Sequence, residues 1–122
     1  MADRVLTWYI DQIEGDGTTA GPVYCLDKNY DLRSAKVRLH AKKAPDAGVL
    51  TVDIKDDGVS VFSTASGFPA LQKSRQQEEE WDDFSDSLRR IEKFSFVSLD
   101  IRSSGGAKGI TVSLELNEDE SG

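Results

Sequence analysis

The stretch from Val49 to Ser63, VLTVDIKDDGVSVFS, constrains the fold of this chain more than any other. Leu50, Val52 and Ile54 alternate with Thr51, Asp53 and Lys55, so an extended segment has one apolar and one polar face. Asp56-Asp57-Gly58 then interrupts, and Val59 and Val61 begin a second β-rich run. An Asp-Gly pair between two such runs predicts a hairpin, because glycine accepts positive φ without steric cost and aspartate tolerates it. The core is therefore expected to be an antiparallel sheet.

The same alternation recurs along the chain. In Val5 to Asp11, Leu6, Trp8 and Ile10 share one face while Val5, Thr7 and Tyr9 share the other. Gly15 to Pro22 is rich in turn formers and reads as a loop, Val23 to Leu26 as a short strand, and Asp27 to Asp31 as a turn. Ala35, Val37, Leu39 and Ala41 alternate with Lys36, Arg38, His40 and Lys42, and Ala44 to Gly48 turns the chain into the hairpin. Val97, Leu99 and Ile101 mark another strand, Ser103 to Gly109 a turn, and Ile110, Val112, Leu114 and Leu116 the last strand. Seven or eight short strands joined by Gly, Pro and Asp turns predict an all-β domain, a single antiparallel, jelly-roll-like β-sandwich over 1–117 with an acidic tail at 118–122. The segment Gly67 to Lys93 is ambiguous. Trp81, Phe84, Leu88 and Ile91 have helical spacing, whereas Glu78 to Phe84 also reads as a sheet-edge strand. The strand is preferred, with a short helix within 70–92, near Ser87 to Arg90, as the alternative.

Composition narrows the function. One domain of 122 residues can bury about two-thirds of its unfolded surface without staples. A formal charge of −7 repels phosphate backbones, so nucleic acid is not an expected partner. The one basic run, Lys36, Arg38, His40, Lys42 and Lys43, reads as the solvated face of a strand. Cys25 is the single cysteine and His40 the single histidine, so neither a disulfide, a zinc cluster nor a cysteine–histidine pair is expected. Asp56/Asp57, Glu78/Glu79/Glu80 and Asp82/Asp83 lie in turn or charge-rich contexts rather than the apolar pockets that general acids need. The sequence around Asp53 to Gly58 lacks calcium-loop spacing, and Gly105 to Gly109 joins two strands instead of opening a helix. An enzyme is not expected, nor any catalytic residue, metal site or cofactor. The start of the chain has no signal-peptide pattern, and no apolar run approaches the ~18 residues of a membrane span, so synthesis in a reducing cytoplasm without membrane contact is expected.

Taken in order, these segments resemble a small β-sandwich module that recurs in structural proteins of tailed bacteriophages. The similarity is carried by the opening Tyr9-Ile10-Asp11-Gln12-Ile13-Glu14-Gly15, by Ala44-Pro45-Asp46 leading into Val52-Asp53-Ile54-Lys55-Asp56-Asp57-Gly58, and by Val97-Ser98-Leu99-Asp100-Ile101 followed, after a Gly-rich turn, by Gly109 to Leu116. The family's middle connection is often shorter and less charged than Pro69 to Arg90, and its module often forms one end of a longer tail or fibre protein, whereas this chain is expected to stand alone. The resemblance implies assembly rather than catalysis: a virion structural protein, foremost a capsid decoration (cement) protein on the outer particle surface. It would bind the major capsid protein or another virion protein and form a homo-oligomer, with a trimer favoured. The alternative is a tail-fibre or baseplate-associated module binding host-surface glycan or another tail protein. Aromatic residues are the candidate contacts: Trp8, Tyr9, Tyr24, Tyr30, Phe68, Trp81 and Phe84. The preferred reading of these residues is that Trp8 is core and the tyrosines are interfacial or half-buried.

Overall fold

The computed structural model describes residues 3–11, 18–43, 45–46, 48–62, 68–71, 78–81, 90–103 and 105–118, with residues 18–20, 33–34, 78–81 and 103 described by their backbone alone. Ten strands form two antiparallel sheets and no helix occurs among the described residues. Sheet I has the order β1 (Arg4–Ile10), β10 (Lys108–Glu118), β3 (Tyr30–Lys43), β7 (Glu78–Trp81), with β8 (Arg90–Ile91) also on β3. Sheet II has the order β2 (Thr18–Cys25), β9 (Phe96–Ser103), β4 (Leu50–Asp56), β5 (Val59–Ser60), with β6 (Ala70–Leu71) also on β4. β5 and β6 continue one edge line along β4, as β7 and β8 do along β3. Each sheet thus has four strand lines in the jelly-roll order, and the chain changes sheet between successive lines except from β4 to the β5–β6 line. The first and last strands lie side by side, in register from Arg4↔Leu116 to Ile10↔Ile110.

Alternation decides which side chains meet between the sheets. Leu6 and Trp8, Val37, Leu39 and Ala41, and Ile110, Val112, Leu114 and Leu116 are buried from sheet I. Leu50, Val52, Ile54, Leu71, Val97, Leu99 and Ile101 are buried from sheet II. The predicted hairpin is present: Asp57 and Gly58 have φ of 49° and 87°, and Asp56 pairs with Val59 across the two-residue loop. Positive φ at both central residues is the type I′ condition, whose twist matches that of the flanking strands.

Several boundaries differ from the sequence reading. β2 begins at Thr18 and runs through Gly21-Pro22, a stretch read as loop. β2 is an edge strand with a register shift between Ala20 and Tyr24, the setting in which a sheet tolerates Gly and Pro. β3 begins at Tyr30 within a predicted turn, because Tyr30 and Asp31 pair with both Glu118 and Asn117 of β10 and Ile91 and Arg90 of β8. Glu118, assigned to the tail, is the last residue of β10. Lys108 and Gly109, read as turn, open that strand. In the ambiguous segment, Ala70–Leu71, Glu78–Trp81 and Arg90–Ile91 are strands, while Phe84 and the alternative helix near Ser87 fall outside the described residues apart from Arg90.

Candidate functional site

The predicted aromatic contacts do not form one surface. Trp8 is fully buried: its Nε1 donates to the Pro22 carbonyl at 2.7 Å, and the Tyr24 ring meets it edge-on at 5.4 Å. Gly21 has φ +70°, and a Cβ there would lie 3.1 Å from Trp8 Cδ1, so this glycine lets β2 close over the indole. Tyr24 is half-buried, and its hydroxyl donates to the Thr7 carbonyl at 2.6 Å, a second clasp between β1 and β2. Tyr30 is buried at 3% exposure, with its hydroxyl donating to Asp27 Oδ1 at 3.0 Å. Trp8 and Tyr30 are therefore corrected from contact residues to core residues: both lie on inward phases of their strands, and a local acceptor satisfies each polar atom. Tyr9 is half exposed on the outer face of sheet I, with Lys42 Nζ 5.7 Å from its ring centre. Phe68 is half-buried against Phe62. Trp81 is placed in β7 by its backbone alone, and Phe84 is outside the described residues.

The outer face of sheet II carries two features that sequence reasoning missed. The first is a charged cleft of about 250 Å³ lined by Asp53, Lys55, Asp100 and Arg102. Asp53 and Asp100 are direct cross-strand partners on outward phases of β4 and β9. Like charges opposed in this way destabilise a sheet, so the pair needs compensation. Lys55 Nζ supplies part of it, 2.8 Å from Asp100 Oδ2. Asp53 is only 2% exposed despite its outward phase, and Ser60 Oγ donates to its Oδ1 at 2.7 Å. Ser60 is fixed in turn by the Phe62 N–H, which donates to Oγ at 3.2 Å. The Arg102 guanidinium lies 4.1 Å from the centre of the Phe68 ring, which holds it beside the cleft. Burial pushes the Asp53 carboxyl above the usual carboxylate range, and Asp100 adds to that push; the Ser60 hydrogen bond and the charges of Lys55 and Arg102 oppose it. Lys55 is held above its ordinary value, first by its hydrogen bond to Asp100. The cluster offers hydrogen-bond acceptors and cationic donors side by side.

The second feature is apolar. Cys25 and Phe96 are cross-strand partners at the β2 side of the same sheet, and both are exposed. Phe96 is 56%, Phe94 67% and Val23 52% exposed. Phe94 takes φ 72° in the turn before β9, where its N–H donates to the Leu26 carbonyl. Phe96 is held twice by Asp57: its N–H donates to Asp57 Oδ1 at 2.8 Å, and its carbonyl accepts from the Asp57 N–H at 2.9 Å. Among the described residues, two phenylalanines thus face solvent, on backbone tied by hydrogen bonds to Leu26 and Asp57.

Both features left traces in the sequence. Val52-Asp53-Ile54 and Leu99-Asp100-Ile101 place an aspartate between inward residues in two strands, and Phe96 is in outward phase with Ser98, Asp100 and Arg102. Their register across β4 and β9 was not legible. The one histidine, His40, lies on the outer face of sheet I and Cys25 on that of sheet II, so the two do not meet. No protein-family model matches the chain, and no curated protein matches it.

Proposed function

We propose that this chain is a structural protein of a tailed-bacteriophage virion, a decoration protein that binds the outside of the capsid as a symmetric oligomer such as a trimer. The observation that carries the reading is the apolar patch of Val23, Cys25, Phe94 and Phe96 on sheet II. Exposed phenylalanines on rigid strand and turn backbone lose little conformational entropy when they dock, and aromatic residues are enriched at protein interfaces. Their burial against neighbouring coat subunits would yield about 25 cal/mol per Å² of apolar area, less the cost of association. The jelly-roll order, which viral capsid and lectin domains share, supports the reading by architectural analogy.

The test is the copy number and position of the chain in purified particles of the encoding phage, by quantitative gel and by imaging. Hundreds of copies spread over the shell are expected. A few copies at three- or sixfold multiples on the tail would replace decoration by a role in the adsorption apparatus, and absence from particles would remove both. Within the decoration reading, Phe94→Ser with Phe96→Ser abolishes attachment to undecorated shells while the variant keeps its fold. A maleimide adduct on Cys25 blocks attachment in the same way, since the thiol lies exposed beside Phe96.

A further inference from the structure

The charged cleft on sheet II lies on the outer side of β4 and β9, where Asp53 and Asp100 stand opposite each other. Opposed aspartates on a solvent-facing sheet, one of them almost fully buried, are unfavourable taken by themselves, and such local violations concentrate at functional sites. We infer that the cleft formed by Asp53, Lys55, Asp100 and Arg102 is a binding site for a neutral, hydroxyl-rich ligand of the saccharide class. This inference is independent of where in a particle the chain sits.

The ligand class follows from the charges. An anion entering the cleft meets the carboxylates of Asp53 and Asp100; a cation meets Lys55 and Arg102. A ligand that donates and accepts from adjacent atoms satisfies both sets, and the vicinal hydroxyls of a sugar ring do so. Asp53 and Asp100 would accept from hydroxyls, and Arg102 and Lys55 would donate to hydroxyl or ring oxygens. Charge-assisted hydrogen bonds of this kind are roughly twice as strong as neutral ones. Asp53 is pre-positioned by Ser60, Asp100 by Lys55 and Arg102 by Phe68, so binding reorders little. With its ring covered by the guanidinium, Phe68 supports Arg102 instead of stacking on the sugar. About 250 Å³ holds a single sugar ring, open on one side to the rest of a chain.

The experiment is a titration of the isotope-labelled full chain with D-glucose, D-galactose, D-mannose and N-acetyl-D-glucosamine, each also as its methyl glycoside, followed by amide chemical shifts. At least one sugar is expected to move the resonances of Asp53, Lys55, Ser60, Asp100 and Arg102 saturably while those of Arg38 and His40 on sheet I stay in place. A methyl glycoside that binds as well as its free sugar assigns the site to the end of a saccharide chain; binding of the free sugar alone assigns it to a monosaccharide. Asp53→Asn, which keeps the side-chain shape, and Arg102→Ala, which removes an exposed side chain, each weaken binding by about tenfold or more, as loss of a charge-assisted bond requires. The inference is overturned if no sugar saturates the shifts up to its solubility limit, if both variants bind as the parent does, or if glycine or sodium chloride perturbs the cleft more than any sugar.

Discussion

The two outer faces of the sandwich are built by the same alternation and differ in almost everything else. On sheet I, Lys36, Arg38, His40 and Lys42 form a basic row down β3, flanked by Glu115 on β10 and, in register, by Glu78 and Glu80 on β7. Arg38 reaches Glu115 at 2.7 Å, and both side chains remain solvated. Opposite charges stand on adjacent strands, and nothing on this row requires burial. On sheet II the corresponding face opposes two aspartates, buries one of them, and continues into exposed phenylalanines. Period-two patterning sorts side chains into inside and outside. What each outside position meets depends on the strand beside it and on the chain that crosses it, and there the two faces part.

The largest perturbation available tests whether the faces share one cooperative core. Trp8→Ala removes a buried indole and its hydrogen bond to Pro22, and should cost about 3–5 kcal/mol in urea denaturation. Amide exchange should then rise in both sheets together. Rapid exchange confined to sheet I would mean that the faces rest on separable units.

Next in size is the contrast between the faces themselves. Asp53→Ala leaves Ser60 and the neighbouring cations without their buried acceptor, for a loss of about 1–3 kcal/mol. Glu115→Ala on sheet I removes a solvated partner of Arg38 and should cost about 0–1 kcal/mol. Equal losses from the two substitutions would erase the distinction between the faces.

The pH dependence sharpens the contrast further. The carboxyl of Asp53 titrates higher in the folded state than in the unfolded one, where its value is near 3.8. Between those two values the folded protein holds the extra proton, so this group's contribution to stability grows as pH falls through the window and diminishes as pH rises through it. Asp53→Asn, which removes the charge and keeps an acceptor for Ser60, should therefore be at least as stable as the parent at neutral pH. Its advantage should shrink as pH approaches 3.8, in thermal melts taken across that range. Asp27 behaves in the opposite sense: the Tyr30 hydroxyl, foremost, holds its carboxyl low, so its contribution is present above 3.8 and lost as pH falls through its lowered folded value. An Asp53→Asn variant less stable than the parent at pH 7 would show that the carboxylate charge itself supports the fold.

The smallest expected effect is on sheet I. A double-mutant cycle on Arg38 and Glu115 should give a coupling of about 0.2–1 kcal/mol that fades with added salt. A larger, salt-resistant coupling would mean that the charges of sheet I are as firmly held as those of sheet II.

The sequence by itself determined the strand phases of Leu6 and Trp8, of Val37 to Ala41 and of Ile110 to Leu116, because side-chain alternation is a property of each extended segment. It likewise determined the Asp57-Gly58 hairpin, since positive φ selects those residue types locally. It misplaced the start of β2, where Gly21 and Pro22 carry local loop preference but occupy a sheet edge packed over Trp8. Tertiary structure alone decided that Tyr30, which lies in a predicted turn, is core, because only the pairing of β3 with β10 and β8 carries it inward. It alone brought Asp53 opposite Asp100 and set Phe96 beside Cys25: β4 and β9, like β2 and β9, are distant in sequence, and only cross-strand register makes neighbours of their side chains.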